Sequence, residues 1–310
     1  MPIAIVFPGQ GSQFQGMLAE ASLHWPVVKS TFEEASDVLR YDLWRLCQDG
    51  PEASLNRTEI TQPALLTAGV ALWRVWQEKD GPAPAFLAGH SLGEYGALVA
   101  AGCLDFHEAV DLVRIRGEAM QSAVAPGEGA MAAILGLDDD QIISICQEHV
   151  AQGVVEAVNF NAPGQVVIAG TYTAVEAVSR ACRDAGAKRV IPLDVSVPSH
   201  CALMQPAADR MAGALAGCSV GDAIIPVVQN MCASAVTEAS IIRENLYWQL
   251  ISPVRWTESV RFMMEHDISS MAECGPGKVL SGLARRIDRN LDCFPTETPT
   301  QMETALEGCR

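Results

Sequence analysis

Charged and aromatic side chains are both scarce in this chain of 310 residues, at 19% and 6%. Positive charge is the scarcest: 21 lysines and arginines face 37 aspartates and glutamates, a formal net charge of -16. Like charge repels, so neither nucleic acid nor an anionic membrane is an expected partner, and any acidic partner must dock at a local basic patch. Long apolar runs are also missing. No segment approaches the ~18 uncharged apolar residues that a membrane span needs. The opening "MPIAIVFPGQ" has no basic flank and too short an apolar run for a signal peptide, so a cytoplasmic protein is expected. The ten cysteines include no Cys-x-x-Cys and no Cys/His cluster of zinc spacing. They read as free thiols in a reducing compartment, with no metal site. After the first strand, Gly9 and Gly11 begin a dinucleotide-like fingerprint, but Phe14 stands where its third glycine belongs, and no acidic residue closes a second strand. No cofactor is expected.

The pattern that is present is an alternation of strands and helices. Residues 3–7 (IAIVF) read as a buried strand, followed by helical segments near 27–48 and 61–79, a strand and turn over 84–91, and a helix near 105–122. From Gly129 the order becomes strand, helix, strand, strand, helix, strand, the ferredoxin-like plan, with the last strand drawn over "KRVIPLDV". Helices near 203–216, 240–250, 255–266 and 277–288 and strands near 225–229 and 269–273 follow. The fold class is therefore α/β: a large unit, 1–126 and 198–310, with a mostly parallel sheet between helices, and a ferredoxin-like subdomain, 127–197, inserted into it. The polar residues from Asp292 onward are expected to be loosely held.

"FLAGHSLGEYG", residues 86–96, carries Gly-x-Ser-x-Gly between a strand and a helix. That is the pattern of a nucleophile elbow, in which a tight turn lifts a serine hydroxyl clear of the sheet, and Ser91 is the candidate nucleophile. The alternative is a glycine-rich turn needed only for packing. A serine needs a base. Of the six histidines, His90 abuts Ser91 and reads as turn-fixing, His149 and His266 sit in charged helical surroundings, and His24 and His107 lie near helix starts. His200 remains, in a loop after a strand, where sheet enzymes place catalytic groups. No acid stands out between Ser91 and His200 except Asp194, too close along the same segment. A backbone or amide carbonyl is left to orient the imidazole. In the helix around "FHEAVDLVRIRGEAMQ", Ala109, Leu112, Val113, Arg116 and Met120 share one face, while Asp111, Arg114, Glu118 and Gln121 take the other. Arg116 thus points inward, where its rigid fork suits a carboxylate ligand. An internal ion pair or a snorkelling side chain explains it equally well.

"FPGQGSQ" (7–13), "GHSLGEY" (89–95), "RGEAM" (116–120), "NFNAPGQVVIAG" (159–170), "VSVPSHCALMQPAA" (195–208), "QLISPVRW" (249–256) and "ECGPGKVLSGL" (273–283) follow one another along almost the whole chain. Together they resemble the malonyl-CoA:acyl carrier protein transacylases of bacterial type II fatty-acid synthesis. The resemblance implies an α/β-hydrolase-like domain with a ferredoxin-like insertion, Ser91 as nucleophile and His200 as base. It implies that the Gln249 main-chain carbonyl orients His200, that the backbone N–H groups of Gln10 and Leu92 form the oxyanion hole, and that Arg116, with Met120 beside it, binds the malonate carboxylate. Malonyl-CoA and acyl carrier protein are the implied partners of a monomeric enzyme. For the acidic carrier, Lys188, Arg189, Arg285, Arg286 and Arg289 are the candidate docking residues, with solvated surface charge as the alternative. Competing readings are a discrete acyltransferase of polyketide synthesis or malonate decarboxylation, and a serine hydrolase.

Overall fold

A computed structural model describes residues 2–193 and 197–310. Strands β1 (Ile3–Phe7) and β2 (Phe86–Gly89) begin a first sheet. The chain leaves it to build a second from β3 (Gly129–Leu135), β4 (Val155–Ala162), β5 (Gln165–Thr171) and β6 (Arg189–Pro192). It then returns with β7 (Val227–Gln229), β8 (Ser234–Val236), β9 (Ser270–Glu273) and β10 (Asp292–Pro295). The first sheet has six strands in the order β10-β9-β1-β2-β7-β8. All its pairings are parallel except the last, so the C-terminal ends of five strands open on one edge. Its central strand, IAIVF, is buried at every position, as a parallel strand covered by helices on both faces must be.

The second sheet has four strands in the order β4-β5-β3-β6, every neighbouring pair antiparallel, as the β-α-β-β-α-β reading requires. Its residues alternate between two destinations. Ala132, Ile134, Val166 and Ile168 pack under the helices Asp139–Glu148 and Tyr172–Asp184, while Met131, Val167 and Ala169 pack with Cys201 of the larger unit. Hydrogen bonds also tie β4 to residues 254 and 257. Phe160 N–H donates to Val254 O (3.0 Å), Val254 N–H donates to Val158 O (2.8 Å), and the Thr257 hydroxyl donates to Phe160 O (3.0 Å).

Two expectations need correction. The helix read over 27–48 is two, Pro26–Leu39 and Leu43–Asp49, because Arg40 adopts a left-handed φ of 64° that ends the first. The C-terminal stretch is not loosely held. β10 adds an edge strand parallel to β9, and the helix Pro299–Gly308 opens with a capping box between Thr298 and Gln301 and buries Met302, Ala305 and Leu306. The strand drawn through Val195 is observed as far as Pro192, and Asp194 lies outside the described residues, as do Val195 and Ser196.

Candidate active site

Ser91 stands in the turn between β2 and the helix Gly93–Ala100, at a φ of 52° that L-residues rarely adopt. The flanking glycines make the turn possible. A Cβ on Gly89 would collide with the backbone of Gly93, and one on Gly93 would collide with Phe7 O. Side chains from distant elements then hold both backbone groups of Ser91: its N–H donates to Asn230 Oδ1 (2.6 Å), and its carbonyl accepts from Gln249 Nε2 (3.1 Å). Asn230 Nδ2 donates in turn to Gly89 O (2.6 Å), so one amide spans the turn from arm to arm. Beneath it, Glu94 is 1% exposed and accepts from Asn230 N–H (2.7 Å) and Gln229 Nε2 (3.2 Å). Burial pushes the Glu94 carboxyl up to about 7, against these hydrogen bonds, which lower it.

The Ser91 hydroxyl lies 2.7 Å from His200 Nε2, and His200 Nδ1 lies 2.8 Å from the main-chain oxygen of Gln249. A carbonyl oxygen only accepts, so Nδ1 carries the proton and Nε2 presents its lone pair to the hydroxyl. Burial pushes the imidazole down to about 3, and the Arg116 charge pushes in the same direction. His200 is therefore neutral at physiological pH, the state a base needs. The orienting group is a carbonyl. His90, next to Ser91, is turned away to Asn161 Oδ1 (2.7 Å) of the small sheet.

Arg116 is 1% exposed, as its helix face predicts. No carboxylate among the described residues forms an ion pair with it. Nη1 donates to Gln62 Oε1 (2.9 Å), and Nη2 donates to Gln249 Oε1 (3.0 Å) and to the Ser91 hydroxyl (3.2 Å). Its carbon centre lies 5.6 Å from the middle of the Tyr95 ring. Met120 lies one turn along and accepts from Gln62 Nε2 at 3.4 Å.

These groups meet at a cavity of about 370 Å³ whose lining includes Gln10, Ser91, Leu92, Arg116, Met120 and His200. Met131, Asn159 and Val167 of the small sheet form its far wall. The N–H of Ser91 is spent on Asn230 and that of Gly93 on His90 O, which sets Leu92 between two engaged amides of the elbow. A larger groove of about 480 Å³, bordered by Lys29, Asp37 and Trp44, lies on the outer surface and is lined by neither Ser91 nor His200. Cys201, beside the base, does not compete with Ser91. It is buried, donates to Pro198 O, and burial pushes its thiol up to about 12. Lys188, Arg189, Arg285, Arg286 and Arg289 are outside the cavity, all exposed.

Gln62, Asn230 and the side chain of Gln249 are the residues that sequence reasoning missed. Asn230 had a usable signal, since it follows a strand at the catalytic edge. Gln62 lies in Thr58–Glu78, a helix buried on nearly every side, where no periodic pattern singles it out. Chemically, the cavity offers a serine hydroxyl hydrogen-bonded to a buried imidazole, and a cation within reach of whatever the serine would bind. That combination suits acyl transfer from a donor bearing a negative charge.

Residues 4–289 match the family described as "Acyl transferase domain". The malonyl CoA-acyl carrier protein transacylase of Escherichia coli K12 is 55% identical over 304 residues, 98% of each chain. That of Bacillus subtilis is 45% identical over 306 residues, 98% of this chain and 96% of the other. The solved transacylase of Coxiella burnetii superposes with a TM-score of 0.98 at 49% identity, covering 99% of this chain and 97% of that one. A malonyl-transacylase in complex with a type II polyketide-synthase acyl-carrier protein also superposes at 0.98, with 54% identity over 99% of this chain and 100% of that one.

Proposed function

Because the chain belongs to the acyl transferase domain family, we propose that Ser91, His200 and Arg116 carry out the family's chemistry here on a malonyl thioester. The protein is an acyltransferase that moves malonyl groups from coenzyme A to acyl carrier protein for fatty-acid synthesis. The observation that carries the residue assignment is the position of the Ser91 hydroxyl, 2.7 Å from His200 Nε2 and 3.2 Å from Arg116 Nη2. Base and anion clamp converge on one oxygen.

The reaction runs in two halves. Ser91 Oγ attacks the thioester carbonyl while His200 Nε2 takes its proton. The N–H groups of Gln10 and Leu92 receive the oxyanion, each worth about 3 kcal/mol in such sites. Collapse breaks the C–S bond, and coenzyme A leaves as the thiol with the proton from His200. The phosphopantetheine thiol of the carrier then gives its proton to His200 and attacks the malonyl-serine, and Ser91 recovers the proton as it leaves. Throughout, Arg116 binds the free carboxylate of the malonyl group. A hydrolase reading leaves Arg116 without a task.

Arg116→Ala tests this assignment. Malonyl-CoA kcat/KM is expected to fall roughly a hundredfold or more, while the donor preference shifts toward acetyl-CoA, which has no carboxylate to lose. An unchanged malonyl-to-acetyl ratio would make Arg116 structural.

For the carrier we favour one edge of the small sheet. Leu135 is the cross-strand partner of both Gln165 and Arg189, and Arg286 reaches Gln165 Oε1 from the helix Val279–Ile287, so both basic groups lie at the same end of that sheet. Reversing Arg285 and Arg286 to glutamate is expected to raise KM for carrier protein and leave malonyl-serine formation intact. Equal loss in both halves would refute docking there. Within the chain, we take 127–197 as a subdomain whose sheet walls the cavity. The described cysteines, all free, fit a cytoplasmic setting. Among the described residues no helix is long and apolar enough to cross a membrane.

A further inference from the structure

Arg116 is held unlike the half-buried arginines of the chain. Arg74 is paired with Glu34, Arg114 with Asp111 and Glu118, and Arg255 with Glu258, while Arg243 donates to the main-chain oxygen of Cys218. Arg116 is more deeply buried than any of these, where a missing counter-charge costs most. In a chain with 37 acidic residues, two neutral amides meet it instead. The acid on the neighbouring helix, Glu94, is turned to Asn230 and Gln229. The amide orientations follow from the donors around them. A guanidinium only donates, so Gln62 and Gln249 must each present oxygen to it. Their nitrogens go elsewhere, Gln62 Nε2 to Met120 Sδ and Gln249 Nε2 to Ser91 O.

Glutamine and glutamate have the same length and shape, and either oxygen would accept the same bond from Arg116. They differ in charge. A glutamate would satisfy the guanidinium and neutralise it, whereas an amide fixes its geometry and leaves its charge to act on the cavity. We propose that Gln62, with the side chain of Gln249 as its counterpart, is a positioning residue for acyl-group specificity: it aims Arg116 while keeping its charge unspent for the carboxylate of the acyl donor. The same unspent charge works against neutral acyl groups, which leave the guanidinium uncompensated beside the reacting serine. This inference rests on the reading of Arg116 as the carboxylate clamp.

The test is Gln62→Glu, with malonyl-serine and acetyl-serine formation measured side by side by rapid-quench intact-mass spectrometry. The malonyl-to-acetyl ratio of kcat/KM is expected to fall about 100-fold, because the introduced carboxylate occupies the guanidinium in place of substrate. Gln62→Met, which keeps the volume and adds no charge, is expected to shift the ratio by less than about fivefold. Should Gln62→Glu fail to fold, Gln249→Glu provides the same charge on the other arm and retains the main-chain carbonyl that orients His200; the same fall is expected. A ratio unchanged in the folded glutamate variant overturns the proposal, as does an equal fall in Gln62→Met. If Arg116→Ala collapses the ratio and Gln62→Glu does not, this inference fails alone; if neither does, the clamp itself is misassigned.

Discussion

The two sheets serve the cavity in different ways. In the larger one, parallel strands deliver Gln10 after β1, Ser91 after β2 and Asn230 after β7 to a single edge, because every parallel strand ends on the same side. The smaller sheet is antiparallel, so its ends point both ways and converge on nothing. It reaches the cavity from its face instead, through Met131, Asn159 and Val167, none of which titrates. Strand ends bring reactive groups together, and a strand face closes the space above them. Substitutions at the edge should therefore stop chemistry, and those behind the face should cost only stability.

The sharpest break is Ser91→Ala. No malonyl adduct should appear by intact mass, since Cys201, the nearest thiol to His200 in sequence, is held protonated by burial. A surviving adduct would move the nucleophile elsewhere. Next comes the pH profile. With His200 pushed down to about 3 from the ordinary 6.5, its ring should stay neutral from pH 8 down to roughly pH 5, as read from the pH dependence of its imidazole NMR shifts. A titration midpoint of that ring near pH 6.5 would show an unperturbed histidine. Asn230→Ala leaves the Ser91 N–H and Gly89 O without their partner in a buried site, about 1–3 kcal/mol for each, and should lower kcat together with the melting temperature. The smallest effect is expected from Ile134→Val, behind the small sheet's face. It should cost about 0.5–1.5 kcal/mol in denaturant unfolding with acylation unchanged. An acylation defect of the Asn230→Ala size in Ile134→Val would erase the distinction between edge and face.

The catalytic edge was legible wherever local chemistry dictates local shape. Gly89 and Gly93 announce the elbow because no other residue fits those contacts, and Arg116 declares its burial through the company it keeps at helical spacing. Gln62 was not legible, because a glutamine within an apolar helix gives no hint of a partner 54 positions away. The C-terminal error has a different origin. Thr298, Pro299 and Gln301 spell a helix start, and Met302, Ala305, Leu306 and Cys309 fall on one face, but the polar residues between them mask a stripe that narrow.

The hydrogen bonds that join β4 to Val254 begin only a few residues beyond Gln249, whose carbonyl sets the tautomer of His200. The wall of the cavity and the support of the His200 ring are thus tied to one stretch of backbone. A bulky acyl group cannot lift the small sheet aside without pulling on the peptide that keeps the histidine reactive.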